Sequence, residues 1–450
     1  MDHHSESQIQ AVFVSKIKKF ELPATPILIP AKLRRQGLSE IVNHLLGNET
    51  QIPFDFLINN TLLKSSVAEY LSAKSISTEN IITLEFIESI KPPSDSKSFS
   101  TDSWISSVAI HPSKLYYVAN YDSTIQIWND DAECITKLSG HTGPVKSLAL
   151  INTNNTDTNS TTDDTTLPFM LSGGLDQTII AWSQSIGSGE TPSHSPIYTA
   201  FGHIGSVDCI VPTLDNAHFI SASSDSFIKL WSSSTPSEDS QRELFENGIQ
   251  GLPPLESLLP NSLAKKQKKS HKDSSSSSTK PFNTLIKTCE STFKGHVGPV
   301  TSISVNSSSS FFSAGSDNSL RTWDIPTGDC INTKVADTSF LDIQFSPSSN
   351  IIISGHTDRF IRHSNWVKSL KWSPSNTFMF ASASYDSSVK IWDIRSNSFI
   401  FNIPCIPSPK SANNNKTPKS SSTEKLLSLD WNNNTIAAGG ESGDLFINSI

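Results

Sequence analysis

Histidine, aspartate and serine, the three side chains of a nucleophilic hydrolase, recur along the 450-residue chain from about residue 100 onward. A catalytic triad is needed once, in one cleft, whereas this set returns at regular intervals. We therefore interpret the set as structural and expect a protein that is not an enzyme and needs no cofactor. Three histidines follow a glycine shortly before a first strand, at Gly140-His141, Gly202-His203 and Gly295-His296. Five aspartates stand six residues before a tryptophan: Asp122 and Trp128, Asp176 and Trp182, Asp225 and Trp231, Asp317 and Trp323, Asp386 and Trp392.

Short strands must position these residues, because each aspartate opens a stretch with the two-residue period of a half-buried strand. The stretches read YDSTIQIW, LDQTIIAW, SDSFIKLW, SDNSLRTW and YDSSVKIW. A small-residue strand such as FISASS precedes most of them and completes a hairpin. A further strand recurs upstream in seven copies, from SWISSVAI to KLLSLDW. Seven first strands predict seven four-stranded sheets, each too small to bury both faces alone.

The Gly-His before the first strand and the pairs Trp323-Asp324 and Trp392-Asp393 after the third make residues 104–450 resemble the WD40 family. The resemblance implies a mainly β fold with a seven-bladed propeller. It also implies that the histidine, turn aspartate, a serine or threonine and the tryptophan form a buried hydrogen-bond network in each blade. The chain ends at a third-strand position, GDLFINSI, and WD40 proteins borrow the missing fourth strand from upstream. Residues 91–103 are therefore expected to be a linker and the ring-closing strand.

Residues 8–90 follow a different pattern. SQIQAVFVS and TPILIP alternate as strands, and GLSEIVNHLLG has the helical period, with Ser39 as the expected cap and Gly47 as its end. FDFLINNTLL predicts a hairpin about Asn59-Asn60, SVAEYL a short helix and IITLEFIE a last strand. This order of elements is that of a ubiquitin-like β-grasp domain.

GLSEIVNHLLG together with PFDFLINNTLL resembles the N-terminal domain shared by Notchless and the WD-repeat subunit of the PeBoW ribosome-assembly complex, and the predicted blade count favours the second family. This resemblance implies a scaffold that joins a block-of-proliferation-type WD-repeat protein and pescadillo on pre-60S particles. The trio supports maturation of 25S/28S and 5.8S rRNA. It also implies a nuclear protein, found in the nucleolus and nucleoplasm.

The same resemblance implies a metal contact in trans. In that family the ubiquitin-like domain docks on the metal-binding domain of midasin, an AAA-type ATPase that removes the complex from the particle, and lends one carboxylate to the metal. Glu79 stands at the matching position, just before the last strand. From the residues alone, an exposed glutamate in a polar turn is usually only solvated.

Composition limits the classes of protein to which the chain could belong. A net charge of −8 argues against a protein that coats nucleic acid over its whole surface, and the five cysteines have no metal-binding spacing. The N-terminus lacks a signal-peptide layout and no apolar run could span a membrane. The main rival hypothesis is a ubiquitin-pathway adaptor that uses the propeller as its substrate receptor, although we find no F-box or RING pattern.

Three low-complexity segments, 152–166, 235–285 and 407–425, are expected to be loops that interrupt the propeller. The middle one carries a lysine cluster, for which a nuclear import signal, a loose RNA contact and a solvated loop without a role are open alternatives. Its lysines are Lys265, Lys266, Lys268 and Lys269.

The fifth repeat is too short. Asp358 and Asp386 are 28 residues apart, whereas Asp317 and Asp358 are 41 apart, and Ser364 stands where a tryptophan is expected. The end of the third strand and all of the fourth are predicted to be absent around the Arg362-His363 junction. A tolerated deletion and an error in the gene model both explain this; we favour the error, because both flanks are regular.

Overall fold

The computed structural model describes residues 8–16, 18–48, 50–77, 79–90, 92–151, 168–185, 192–237, 285–358, 363–396, 398–406 and 424–450. The structure is mainly β, as predicted, with two α-helices in this part of the chain. The chain divides into two compact units: the first comprises the residues up to Pro93 with Trp392–Phe399 and Ile450, and the second comprises Ser94–Ile391 and Ile400–Ser449. No helix among the described residues is long and apolar enough to cross a membrane.

The first unit is one five-stranded sheet with two helices. Its order of elements is the predicted one: β1 (Gln8–Val14), β2 (Ile27–Pro30), α1 (Arg35–Leu46), β3 (Phe54–Ile58), β4 (Thr61–Leu62), α2 (Val67–Lys74) and β5 (Ile82–Glu88), with a 3-10 turn at Lys18–Phe20. The sheet order is β2-β1-β5-β3-β4, and the central pair β1 and β5 is parallel. The buried face of the sheet packs its phenylalanines against Leu38 and Val42 of α1. Alternating burial along β1 and β5 therefore positions the core.

Local chemistry explains the ends of these elements. Gly47 ends α1 with φ 65, and Asn59 and Asn60 turn the β3–β4 hairpin with φ 49 and 60, both as predicted. Ser39 as the cap of α1 is wrong, because the helix begins at Arg35. The Ser39 hydroxyl instead donates to the Ile52 carbonyl at 3.2 Å and accepts the Phe54 N–H at 3.1 Å. Arg35 and Gln36 are good helix formers, so the helix extends four residues upstream of the serine.

The second unit contains seven sheets within the described residues. Sheet 1 is Ile105–His111, Leu115–Asn120, Thr124–Trp128 and Cys134–Ser139; sheet 2 is Val145–Leu150, Met170–Gly174, Ile179–Ser185 and Ser193–Ala200, with Leu285–Lys287 added in parallel; sheet 3 is Val207–Pro212, His218–Ser223, Ile228–Ser232 and Ser291–Phe293. Sheet 4 is Val300–Val305, Ser310–Gly315, Ser319–Asp324 and Cys330–Val335; sheet 5 is Phe340–Ser346 and Ile351–His356; sheet 6 is Val367–Trp372, Met379–Ser384, Ser388–Asp393 and Phe401–Pro404; sheet 7 is Leu426–Asn432, Thr435–Gly440, Asp444–Ser449 and Ser94–Ser100.

The ends of two predicted loops differ from the structure. The middle loop is predicted to extend to residue 285, but Leu285 already begins a strand. The last loop is predicted to extend to residue 425, but Glu424 is buried.

The strand Ser94–Ser100, from the segment expected to close the ring, pairs antiparallel with Asp444–Ser449. Sheet 5 has two strands in the described part of the chain, and residues 359–362 lie outside it.

A hydrogen-bonded seam joins each sheet to the next along the first strands. Each first strand has an irregular register after its first residue, and the bulge turns the third residue toward the neighbouring sheet. Because a first strand is an edge strand, its outward N–H groups need acceptors. In five seams, the side-chain oxygen of the third residue of one first strand accepts the backbone N–H of the fourth residue of the neighbouring first strand. The acceptor and donor residues are Ser107 and Leu148, Ser302 and Ile343, Asp342 and Leu370, Ser369 and Leu429, and Ser428 and Val108.

The other two seams vary this scheme. Between sheets 3 and 4, Cys209 stands at the third position and packs against the hydrophobic cluster that contains Ile303. Between sheets 2 and 3, the Ser147 hydroxyl donates to the Val207 carbonyl at 3.3 Å. The seam between sheets 7 and 1 has a second bond, from the Ile110 N–H to Asp430 Oδ2 at 2.7 Å. Sheet 7 thus contacts sheet 1 in the same manner as the other neighbours contact each other.

Candidate functional site

The histidines, aspartates, serines and tryptophans of sheets 2, 3 and 4 form the same network three times. In sheet 3, His203 Nδ1 lies 2.9 Å from Asp225 Oδ2, and His203 Nε2 lies 2.7 Å from Ser221 Oγ. Trp231 Nε1 donates to the same Ser221 oxygen at 2.8 Å. The same three contacts occur in sheets 2 and 4, and each distance differs by at most 0.1 Å from its counterpart in sheet 3. The residues are His141, Asp176, Ser172 and Trp182 in sheet 2, and His296, Asp317, Ser313 and Trp323 in sheet 4.

The turn that precedes each third strand places the aspartate over its histidine. In sheet 3 the Asp225 carboxylate also accepts the backbone N–H groups of Ile204 and Phe227, both at 2.9 Å. It therefore ties the loop before the first strand to the turn before the third. This explains why aspartate and tryptophan keep a fixed spacing: both ends of the third strand belong to one network.

Electrostatics favours a neutral imidazole facing an ionised carboxylate. Burial lowers the pKa of His203 and of His296. Burial alone would raise the pKa of Asp225, but the hydrogen bonds from His203 and from backbone N–H groups outweigh it and lower the pKa to about 2. With Nδ1–H donating to the carboxylate, Nε2 accepts from the serine hydroxyl, whose oxygen accepts from the indole N–H.

This geometry does not suit nucleophilic catalysis. The serine oxygens of all three networks are fully buried, and a tryptophan N–H occupies each of them. A substrate carbonyl could not reach the hydroxyl without unpacking the sheet. The geometry supports the structural interpretation of these residues.

A fourth network lies in sheet 6 and uses His363, which the Gly-His pattern did not predict. His363 Nδ1 lies 2.8 Å from Asp386 Oδ2, and Nε2 lies 2.8 Å from Ser382 Oγ. The Asp386 carboxylate also accepts the Ser364 N–H at 3.0 Å. No glycine precedes this histidine, so a search for Gly-His misses it. Its spacing could have found it, because His363 stands four residues before Val367, as His141 stands before Val145.

Sheet 1 differs from the expected network. Asp122 accepts from Thr124 and from Lys137 Nζ at 3.0 Å, and Trp128 Nε1 donates to Gln126 at 3.2 Å. The reason is that Thr101 stands at the histidine position and Val118 at the serine position of this sheet. Asp122 and Trp128 therefore do not belong to a four-residue network of the kind found in sheets 2 to 4.

Sheets 5 and 7 also use substitutes. In sheet 5, Asp358 accepts from the Thr338 hydroxyl at 2.9 Å, and Ser364, at the expected tryptophan position, belongs to the sheet 6 network instead. In sheet 7, Ser442 replaces the turn aspartate and its hydroxyl donates to Glu424. Among the described residues, the full arrangement of histidine, aspartate and serine is thus confined to sheets 2, 3, 4 and 6.

Glu79 lies in the exposed turn between α2 and β5. Its backbone N–H donates to Ser77 Oγ at 3.3 Å, which holds the turn, and its side chain is exposed to solvent. No group of three or more potential metal ligands occurs in the part of the chain that the structure describes. Lys265, Lys266, Lys268 and Lys269 lie outside the described residues.

Comparison with known families agrees with this architecture. The NLE (NUC135) domain matches residues 9–71, and the WD domain, G-beta repeat, matches residues 94–129, 132–183, 194–232, 287–324 and 360–393. The chain is therefore a WD-repeat protein with an N-terminal NLE domain.

Relatives of similar length identify the family more closely. A ribosome biogenesis protein WDR12 homolog from Nematostella vectensis is 33% identical over 410 residues, 86% of this chain and 90% of the relative. The ribosome biogenesis protein ytm1 of Schizosaccharomyces pombe is 30% identical over 468 residues, 98% of this chain and 96% of the relative. The chain belongs to this YTM1/WDR12 family of ribosome biogenesis proteins.

Proposed function

We propose that the protein is a non-enzymatic scaffold of large-subunit assembly, a member of a PeBoW-type complex with a block-of-proliferation-type WD-repeat protein and pescadillo on pre-60S particles. The observation that carries the proposal is similarity over nearly the whole chain to proteins named for ribosome biogenesis. Buried serine hydroxyls in the repeated networks support a role without catalysis. The trio would act in maturation of 25S/28S and 5.8S rRNA, in the nucleolus and nucleoplasm.

The seven sheets are the blades of a WD40 propeller in this proposal, with an incomplete fifth blade. Support comes from the seam between sheets 7 and 1, where the Val108 N–H donates to Ser428 at 3.0 Å, and from the hydrophobic cluster that joins Ile447 to Ile110 and Tyr116. The first unit is a ubiquitin-like domain. Its support is the order of the elements and the parallel central pair of β1 and β5.

Glu79 is proposed to complete the coordination of a divalent metal held by midasin, which would then release the complex from the particle. A hard cation with an open position takes an oxygen ligand, and an exposed carboxylate supplies both the ligand and a negative charge. The exposure of Glu79 in its turn supports this role. In this proposal the remaining ligands come from midasin.

Two experiments test the proposal separately. Affinity purification of the tagged full-length chain should recover pescadillo-type and pre-60S proteins, whereas cullins or proteasome subunits would favour the rival ubiquitin-pathway adaptor. Glu79→Ala and Glu79→Asp should lose binding to midasin's metal-binding domain while retaining pescadillo. Undiminished midasin binding by both variants would contradict the metal contact and leave the scaffold role standing.

A further inference from the structure

The sheet of the first unit has one face packed on α1 and an opposite face, which we call the outer face. Phe13 of β1 and Leu84 of β5 are buried and belong to the core cluster with Leu38 of α1. Because side chains alternate along a strand, the residues between the buried ones point to the outer face. They include Gln10 and Val12 of β1, Leu28 of β2, and Ile81 and Thr83 at the start of β5.

Two large aliphatic side chains of the outer face lie close to each other and are exposed. Leu28 is 59% exposed and Ile81 is 54% exposed. Leu28 stands directly opposite Gln10 in the antiparallel pair of β1 and β2. The parallel pairing of Ala11 with Ile82 places Ile81 on the other side of Gln10. Since neighbouring strands are about 4.8 Å apart, Leu28 and Ile81 lie about 10 Å apart across three strands.

The fold of the first unit does not require aliphatic residues at these two positions. The core cluster contains the adjacent Ile29 and Ile82, and neither Leu28 nor Ile81 packs against it. Polar side chains occupy equivalent outward positions on the same strands, as Gln10 does on β1. Adjacent exposed apolar side chains are typical of a contact surface. We call Leu28, Gln10, Val12 and Ile81 the outer strip.

Glu79 lies at the same end of the sheet as the outer strip. It stands two residues before Ile81, and the parallel strands β1 and β5 begin at this end. The four residues of the strip are uncharged. Glu85, farther along β5, is paired with Lys16 at 2.9 Å. Along the outer face, Glu79 is therefore followed by uncharged and mostly apolar side chains.

We propose that the outer strip is the apolar part of the surface on which Glu79 meets its metal-holding partner. The inference rests on the proposed function and specifies the chemistry of the partner: apolar side chains beside the metal. A carboxylate that enters one coordination position exchanges a water ligand for a protein ligand and covers little surface. Burial of Leu28 and Ile81 removes apolar area from water and stabilises the complex beyond the reach of that carboxylate. A nucleic acid fits less well, because the strip offers no cation to a phosphate.

The two parts of this surface act independently of each other. Coordination by Glu79 depends on the metal, whereas burial of the outer strip does not. The loss of affinity caused by changes in the strip should therefore add to the loss caused by Glu79→Ala, and it should depend little on salt concentration. This behaviour separates the strip from a second electrostatic contact.

Binding of the full-length chain to immobilised midasin metal-binding domain in Mg²⁺, measured by biolayer interferometry, tests the proposal. We expect Leu28→Ala and Ile81→Ala each to weaken binding about tenfold, because each removes one buried aliphatic side chain from the complex. Leu28→Met and Ile81→Val should retain most of the affinity. Leu45→Ala is the matched control, because Leu45 is 42% exposed but lies on α1, on the other side of the sheet. Unchanged hydrogen exchange in β1 and β5 shows that a variant keeps the sheet.

The outcomes distinguish this inference from the metal contact itself. If the Leu28→Ala/Ile81→Ala double variant binds like Leu45→Ala while Glu79→Ala loses binding, the outer strip is refuted and the metal contact stands. If the double variant loses binding while Glu79→Ala retains it, the strip is supported and the metal contact is contradicted. A wild-type chain that does not bind the domain contradicts both.

Discussion

Replacing His363 by alanine offers a sharp test of the network interpretation, because this histidine lies beside the short sheet 5 and has no preceding glycine. Its side chain is fully buried and contacts Asp386 and Ser382, both at 2.8 Å. His363→Ala leaves a carboxylate and a hydroxyl with one partner fewer in a site without water access. We expect a large loss of stability confined to the second unit.

The magnitude follows from the two contacts and the space left behind. A hydrogen bond to a charged group contributes about 1.5–3 kcal/mol and a neutral one about 1 kcal/mol. The lower end applies to Asp386, because it keeps the N–H of Ser364 and the hydroxyl of Ser388. With the cavity left by the ring, we expect the free energy of unfolding to fall by about 3–4 kcal/mol.

Urea unfolding followed by tryptophan fluorescence measures this loss in the relevant unit. All nine tryptophans lie at or beyond Trp104 and eight of them belong to the second unit, so the signal reports mainly on that unit. The urea midpoint should fall while the slope of the transition stays unchanged. His218→Ala is the control, because His218 is 39% exposed and pairs with a 46% exposed Glu290, and it should cost less than 1 kcal/mol. Equal losses for the two variants would refute the reasoning.

Three further predictions concern the same unit and the same assay. Between pH 6.5 and 5 the urea midpoint should fall, because the lowered pKa values of His203 and His296 mean that the unfolded chain takes up protons first; a flat profile would contradict this. Asp342→Ala should cost about 2–3 kcal/mol, since its carboxylate accepts both a hydroxyl and a backbone N–H at the seams of sheet 5, and a loss below 1 kcal/mol would be inconsistent. Trp231→Phe should destabilise more than Trp128→Phe, because only Trp231 is fully buried with its N–H on the network serine; the reverse order would count against the assignment.

Regular spacing made most of the second unit predictable. The interval from Asp225 to Trp231 reflects one turn and one strand whose two ends share a network, so it recurs wherever the network does. A pattern that requires a preceding glycine excludes His363, which follows an arginine in the sequence. The structure shows why glycine is common there: a Cβ on Gly140 would lie 3.0 Å from the Trp182 ring. Glycine makes room for the indole and is not needed by the imidazole.

The seams could not be predicted from the alternation of polar and apolar residues. A strict period of two assigns Ser302 or Asp342 to one face of a flat strand, but the bulge turns the third residue toward the next sheet. The sequence also gives no sign that Trp104 and Trp366, which lie 262 residues apart, belong to sheets on the two sides of sheet 7. Glu79 belongs to no repeated sequence motif, and only the family resemblance predicts its role.

Pairing of Ser94–Ser100 with the last strand has a mechanical consequence. The segment that completes sheet 7 is covalently continuous with the first unit, whose boundary is at Pro93. Tension transmitted along the chain from Pro93 would therefore reach the pairing of Ser94 with Ser449 before the pairing of Phe99 with Leu445. A chain that starts at Ser94 should keep this pairing, whereas one that starts at Ile105 should leave the edge of Asp444–Ser449 open. Comparing the resistance of the two chains to proteolysis would show how much the strand Ser94–Ser100 stabilises the second unit.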